Sequence, residues 1–573
     1  MKIIFGLDLD GYQDLWTRDR FNELICGPNG FLGLLELRLG LASKPVSAAV
    51  RVAQYRSHLE TAASNKSRFY SASFSKDAFS SAATLLQWRD ELILAGWDGS
   101  AGTIHSPRIR DLADVEELAT KTLSPGFPDR VRAALTELGR RQPKLDSVEV
   151  VDDPKHVPRL LRELLVKVGA SFGHRHGDIP KPAAASGSDL RNIQEALANG
   201  GRLGQVKLAY DGTVIFVTAY SEVTLAHLAA QTLQKSRQQE FAAAIIAQSD
   251  CPHLEVALRS VDEPVLELSV RSAARPVLQT LALALALRWN PLDPRDLLAF
   301  LVHPVSPMSN MLRRKLAGIV AGRPGLGGSE WNRGIDEHRT FLTQKFASDP
   351  AVLRKVLKRS EQDLTRWVNV ERFDSLSGAP GSELASTCAA IASWAMATTN
   401  GEDLSPAMLE QYAQLASRAS DLAAILKSLS SVTRAQLELF LEQVVGKGTR
   451  CNHTVAEARH VRRLHTPAAL LEPLDTLLWW DFRGAGFSPR TRWTNAEIQR
   501  LEQSGVELPS ATTWYARENC AALRAVLAVK KHLIFSHENS DQLFSRPRAV
   551  CWWQTSRLHR FAGRKLPGSK CNC

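Results

Sequence analysis

The stretch YDGTVIFVTAYSEVTLAHLAAQTL (210–233) most constrains what this chain can fold into. It reads as a turn, a buried strand and a helix in immediate succession, the signature of an α/β layer. The same character returns late in the chain, at 474–482 (LDTLLWWDF) and at 531–535. Residues 350–445 between them read as mostly helical, with Ser/Gly breaks near 375–382 and 398–405. The pattern points to an α/β body interrupted by a long helical segment, and no internal repeat accompanies it.

The N-terminal part follows the same logic. MKIIFGL is strand-like, a second candidate strand ends at Ile25 and Cys26, and GPNGFLGLLELRLGL follows as a glycine turn opening an amphipathic helix. A strand, a glycine turn and a helix are where a P-loop would sit, but the P-loop needs G-x-x-x-x-G-K-[ST], because its lysine and hydroxyl hold phosphates and Mg²⁺. Here Gly33 is followed by Leu34 and Leu35, and the lone Gly446-Lys447-Gly448 lacks the upstream glycine. The chain has no intact P-loop, so the glycine turn reads as a simple helix start. At 148–154, a short apolar strand running into Asp152 and Asp153 mimics a magnesium-holding strand end. Pro154 follows at once, and the pair reads better as a cap on the next helix. Residues 47–140 read as helical, most strongly at SSAATLLQWRDELILAGWDG. His174, His176 and Asp178 fall in a Pro/Gly/Ser-rich loop with no distal pair to complete a metal site.

At 573 residues the chain is long enough for three or four domains, and 44% hydrophobic with 23% charged residues is ordinary globular composition. The longest apolar run, 277–287, is broken by Gln279 and Thr280 and is too short for a bilayer, so no membrane partner is expected. Acidic residues stand where a signal peptide would be apolar, and eight scattered cysteines suit reduced thiols in a cytoplasmic protein. The net charge of +11 favours a nucleic-acid partner. Residues 546–573, however, hold five Arg, two Lys and no acid, which leaves the other 545 residues at +4. That tail also carries three cysteines and two adjacent tryptophans without helical or strand period. It is read as an aberrant basic segment produced by a frameshift, so that the chain is expected to be a truncated copy of a longer protein.

Three stretches, LLQWRDELILAGWDG (85–99), SAARPVLQTLALALALRWNPLDPRDLLAFLVHPVSP (272–307) and DTLLWWDFRGAGFSPRTRWTNAEIQRLEQSGVELPS (475–510), occur in the order of one family. Together they resemble AddB-like double-strand-break repair proteins, in which a degenerate superfamily 1 helicase body precedes a PD-(D/E)XK nuclease domain. Residues 518–535, ENCAALRAVLAVKKHLIF, sit where such helicases carry their last ATPase motif. Leu527 and Ala528 fall at its Thr-Arg positions, and apolar side chains cannot stabilise a transferring phosphoryl group.

The resemblance implies an α/β fold of two RecA-like, P-loop-NTPase-like but degenerate domains with large α-helical insertions. The first would run over 1–200 and the second would start at 201–289 and return at 431–545, around a helical insertion at 290–430, with 546–573 as the aberrant tail. It implies a DNA-binding, ATPase-inactive part of a bacterial, nucleoid-associated repair subunit, acting on single-stranded or forked DNA beside an active helicase subunit. The alternative is a fragment of a Mg²⁺-dependent nuclease with no activity of its own. No cofactor is expected in this chain, Mg²⁺ belonging to the missing nuclease domain, and the four-cysteine pattern of a cluster-braced nuclease is absent. Cys551, Cys571 and Cys573 lie in the tail and are not counted. Arg483, Arg490 and Arg492 beside Trp479, Trp480 and Trp493 mix cations with π faces in the way single-strand binders do, and are the expected nucleic-acid contacts with Arg275. Arg354, Lys355, Lys358 and Arg359 read as an exposed helical face.

Overall fold

The structure, a computed structural model, describes residues 1–12, 21–41, 46–64, 66–102, 106–172, 182–199, 206–237, 243–247, 251–263, 274–322, 325–401, 404–446, 448, 461–482 and 492–538. Arg483, Arg490, the His174–His176–Asp178 group, Lys447 and the 546–573 tail therefore lie outside the described residues. The chain is α/β with parallel sheets and divides into two compact units. One comprises Met1–Pro45, Tyr55–Leu268 and Thr454–Cys573, the other Val46–Gln54 and Ser269–His453.

Among its described residues the first unit contains two sheets. Strands β1 (Lys2–Phe5), β2 (Glu23–Cys26), β3 (Ser147–Val150) and β4 (Ser171–Phe172) form a parallel sheet in the order β2-β1-β3-β4. Strands β5 (Val214–Ala219) and β6 (Ala243–Ile246) belong to the second sheet. The second unit holds only the short β7 (Trp289–Asn290), β8 (Phe373–Asp374), β9 (Ala379–Pro380) and β10 (Ser431–Val432) among its described residues. The chain then rejoins the second sheet with β11 (Arg462–Leu464), β12 (Leu474–Trp479) and β13 (Val529–Glu538), giving the parallel order β11-β6-β12-β13-β5.

Parallel strands covered on both faces read as continuous apolar runs, and β12 shows why its sequence is so apolar. Leu477 and Trp479 enter a core shared with Ile4, Leu9 and Val151 of the first sheet region, while Leu478 and Trp480 enter the opposite core with Leu225, Leu233 and Leu254. The period of two sends alternate residues to opposite faces, and here both faces are buried. The helix Ala511–Leu527 carries the chain from β12 to β13. Ser510 caps it through its side chain, and Ala525 and Val526 pack into the shared core.

The second unit is helical, from Pro276–Ala286 to Arg434–Val445, and wider than the 290–430 insertion expected from the resemblance. Its longest helices, Gly381–Thr399 and Pro406–Lys427, approach closely at Gly381. A Cβ there would lie 2.2 Å from the Leu426 carbonyl oxygen, so only glycine fits. Helix Pro350–Asp363 runs on into a π-helical turn, Leu364–Val368. Among the described residues no helix is long and apolar enough to cross a membrane.

Candidate functional site

Because β1 and β3 are parallel and in register from Lys2 opposite Ser147 to Phe5 opposite Val150, the loops that leave them emerge at one edge of the sheet. These loops carry Asp8, Asp10 and Asp152. Asp10 turns back onto the helix Pro28–Leu39. Its carboxylate accepts the backbone N–H groups of Asn29 and Gly30, each at 3.0 Å, and the Asn29 side-chain amide at 2.8 Å. The approach is close enough to exclude any side chain at Gly27, whose Cβ would lie 2.4 Å from the Asp10 nitrogen. A helix N-terminus is a ready anion site, and in P-loop proteins the phosphates take it. Here the chain's own carboxylate takes it. The same carboxylate, after burial, helps push the Cys26 thiol up to about 12.

Asp8 and Asp152 face the helix Ala511–Leu527. Arg517 on that helix forms an ion pair with Asp8, and its Nε stands 4.0 Å from an Asp152 oxygen. Asp152 also accepts the Leu7 backbone N–H at 2.7 Å, which fixes the turn after β1. Two turns further along the helix, Arg524 donates to the Ala468 carbonyl at 2.9 Å. Burial dominates the titration of this seam. It raises Asp152 and Glu518 above the ordinary carboxylate range and holds His156 and Arg524 below their usual values. Asp153 serves as a cap, accepting the Lys155 N–H at 2.8 Å.

The arrangement closes on itself. A polyphosphate entering here would have to displace Asp10 from the helix N-terminus and would meet the negative charges of Asp8 and Asp152. Among the described residues no three His, Cys, Asp or Glu side chains are grouped to hold a metal ion. Since the folded state raises the Asp152 pKa, protonation of this residue favours the fold. That contribution is full below the unfolded carboxylate pKa of about 3.9 and is lost as pH rises through the folded value. Asp152→Asn keeps an acceptor for Leu7 without the buried charge. It is expected to melt no lower than the parent chain at pH 7.5, with any gain shrinking as the pH approaches 4. A thermal melt series across that range checks it, and a large destabilisation at pH 7.5 would contradict it.

Neither protein-family models nor curated proteins match this sequence.

Of the residues expected from the sequence to contact nucleic acid, Arg275, Trp479, Trp480, Arg492 and Trp493 are among the described residues. Trp479, Trp480 and Trp493 are only 7%, 4% and 4% exposed, and their burial corrects the expectation that they stack on bases. Trp479 packs on Phe482 and Phe535, and Trp480 lies in the opposite core. Trp493 packs against Trp88, and the cation over its ring is the internal Arg108, 4.9 Å from the centroid and paired with Glu497 at 3.2 Å. Arg492 is exposed and lies 3.7 Å from Glu91. Arg275 belongs to the other unit, where its carbonyl starts the helix Pro276–Ala286 by accepting the Leu278 and Gln279 N–H groups at 3.0 and 3.1 Å. Leu527 and Ala528 are buried at the end of their helix. The charged residues of the seam, Asp8, Asp10, Arg517 and Arg524, are absent from the sequence-derived candidates. The available signal was a strand running directly into Asp-Leu-Asp-Gly.

Proposed function

We infer that this chain is the ATPase-inactive, DNA-binding body of a repair protein resembling the AddB-like family, with two degenerate RecA-like halves built on its four- and five-stranded parallel sheets. One observation carries the inactive part of that reading: Asp10 occupies the helix N-terminus that would otherwise receive phosphate. Its support comes also from Arg517. Where a helicase uses an arginine between two sheets to contact the γ-phosphate, this arginine is engaged by Asp8. The DNA-binding part is supported by the order of the three family-like stretches. The chain acts as a scaffold that grips single-stranded or forked DNA beside an active helicase subunit, without turning over nucleotide.

The test is binding of the full chain to a forked duplex and to a single-stranded oligonucleotide by fluorescence anisotropy, over 50–300 mM salt. Affinity is expected to fall steeply with salt, because displaced counterions set the slope. A chain that binds neither DNA at the lowest salt would remove the reading.

A further inference from the structure

We propose that a groove on the helical unit, walled by Lys355, Lys358, Arg359 and Arg366 and floored in part by Trp394, is the seat of a single-stranded nucleic-acid segment. This assignment rests on the DNA-binding reading above and gives it a place. The groove encloses about 440 Å³ and is open to solvent along the helix Pro350–Asp363. Its cations recur at helical spacing. Lys355, Lys358 and Arg359 lie three and four residues apart, on one face. The chain then passes into the π-helical turn Leu364–Val368, whose Arg366 lines the same groove. At 1.5 Å per residue the line from Lys355 to Arg366 is about 16 Å long, a length suited to successive phosphates rather than to one anion.

The cations of the groove wall face solvent. All four are exposed, and none has an ion pair within 4 Å among the described residues, although neighbouring Arg339 reaches Glu361 at 3.6 Å. Among the described residues the one acid lining the groove is Asp363. It is buried at the base, accepts the backbone N–H of Ser309 at 2.8 Å and lies within electrostatic reach of Arg359 and Arg366, so it offsets part of their charge and leaves Lys355 and Lys358 to solvent. Trp394 is half-buried and braced edge-on by Tyr412 with ring centroids 5.6 Å apart. It presents a fixed aromatic surface beside the cations, whereas Trp367 is buried against Phe300. A row of cations along an edge with a held aromatic surface is the combination that takes a strand's backbone and one of its bases without reading sequence.

The test uses the full chain and a fluorescent oligothymidylate. Replacing Lys355, Lys358, Arg359 and Arg366 together by glutamine is expected to weaken binding at least tenfold at 50 mM salt. The slope of log affinity against log salt should become shallower by about 3, since each strand phosphate neutralised contributes roughly 0.7. Trp394→Leu should weaken binding while leaving that slope unchanged. A control with equal charge loss on the other unit, Lys66, Lys76, Lys121 and Lys144 to glutamine, should bind within twofold of the parent. Matching circular dichroism melts confirm that all variants fold. Equal losses in groove and control variants would overturn the proposal, as would undiminished binding in the groove variant or displacement of the oligonucleotide by polyglutamate at equal charge. A parent chain that binds no DNA at all would instead remove the DNA-binding reading on which the groove rests.

Discussion

Replacing Arg89 with alanine is expected to destabilise the first unit by about 3–5 kcal/mol, the largest effect of any single change considered for this chain. Arg89 is 3% exposed and lies in the helix Ala78–Leu94. Its guanidinium grips Glu116 with two bonds of 2.8 Å and Asp129 with bonds of 2.7 and 2.9 Å, with Asp90 at 2.9 Å. Glu116 lies in the helix Pro107–Ala119, and Asp129 caps the helix Phe127–Glu137 by accepting the Gly126 N–H at 2.7 Å. One side chain thus joins three helices. Truncation leaves a buried carboxylate at Glu116 without its cation, and that uncompensated charge is the source of the cost. Lysine should recover only part, because it lacks the planar fork that serves two carboxylates at once. Urea unfolding followed by circular dichroism reads the difference, and a loss below about 1 kcal/mol would contradict the role given to the network.

A second large effect is expected at the seam. Arg517→Ala leaves Asp8 and Asp152 facing one another across the space the guanidinium fills, and should cost about 1.5–2 kcal/mol, near the lower end for bonds to charged groups. The pair is a quarter to a third exposed, which places it toward that lower end. The double variant with Asp8→Asn should lose less than the sum of the two single changes, because the asparagine no longer needs the cation. Additive losses would mean that the two residues are not energetically coupled and that the seam is held by its apolar core alone.

What was legible in the sequence was whatever a local pattern could carry. The run at β12 announced a buried strand, and the glycine turn at Gly27 announced the helix Pro28–Leu39. The α/β class followed from such units. The fate of the aromatic residues did not. Trp479 and Trp480 beside arginines suggest a stacking platform until both faces of β12 are seen to be covered, and covering is a property of the sheet, not of the strand. The strand β6, Ala243–Ile246, is too short and its alanines too neutral to announce themselves. The seam was least visible. Asp10 lies nineteen residues from Asn29, and Asp8 lies 509 residues from Arg517, separations at which no spacing rule operates. Lys355, Lys358 and Arg359 were visible as an exposed helical face, and Arg366 was not. What the fold adds is Trp394, brought beside them from another helix.

The most direct test of the central claim is ATP turnover by the full chain, measured as phosphate release with Mg²⁺ and saturating forked DNA. The account predicts background rates, with or without DNA, because the Asp10 carboxylate holds the N-terminus of the helix Pro28–Leu39 and Arg517 is held by Asp8. DNA-stimulated release that is abolished by Asp152→Asn would contradict it, showing that the seam opens to a nucleotide and that Asp152 handles its metal.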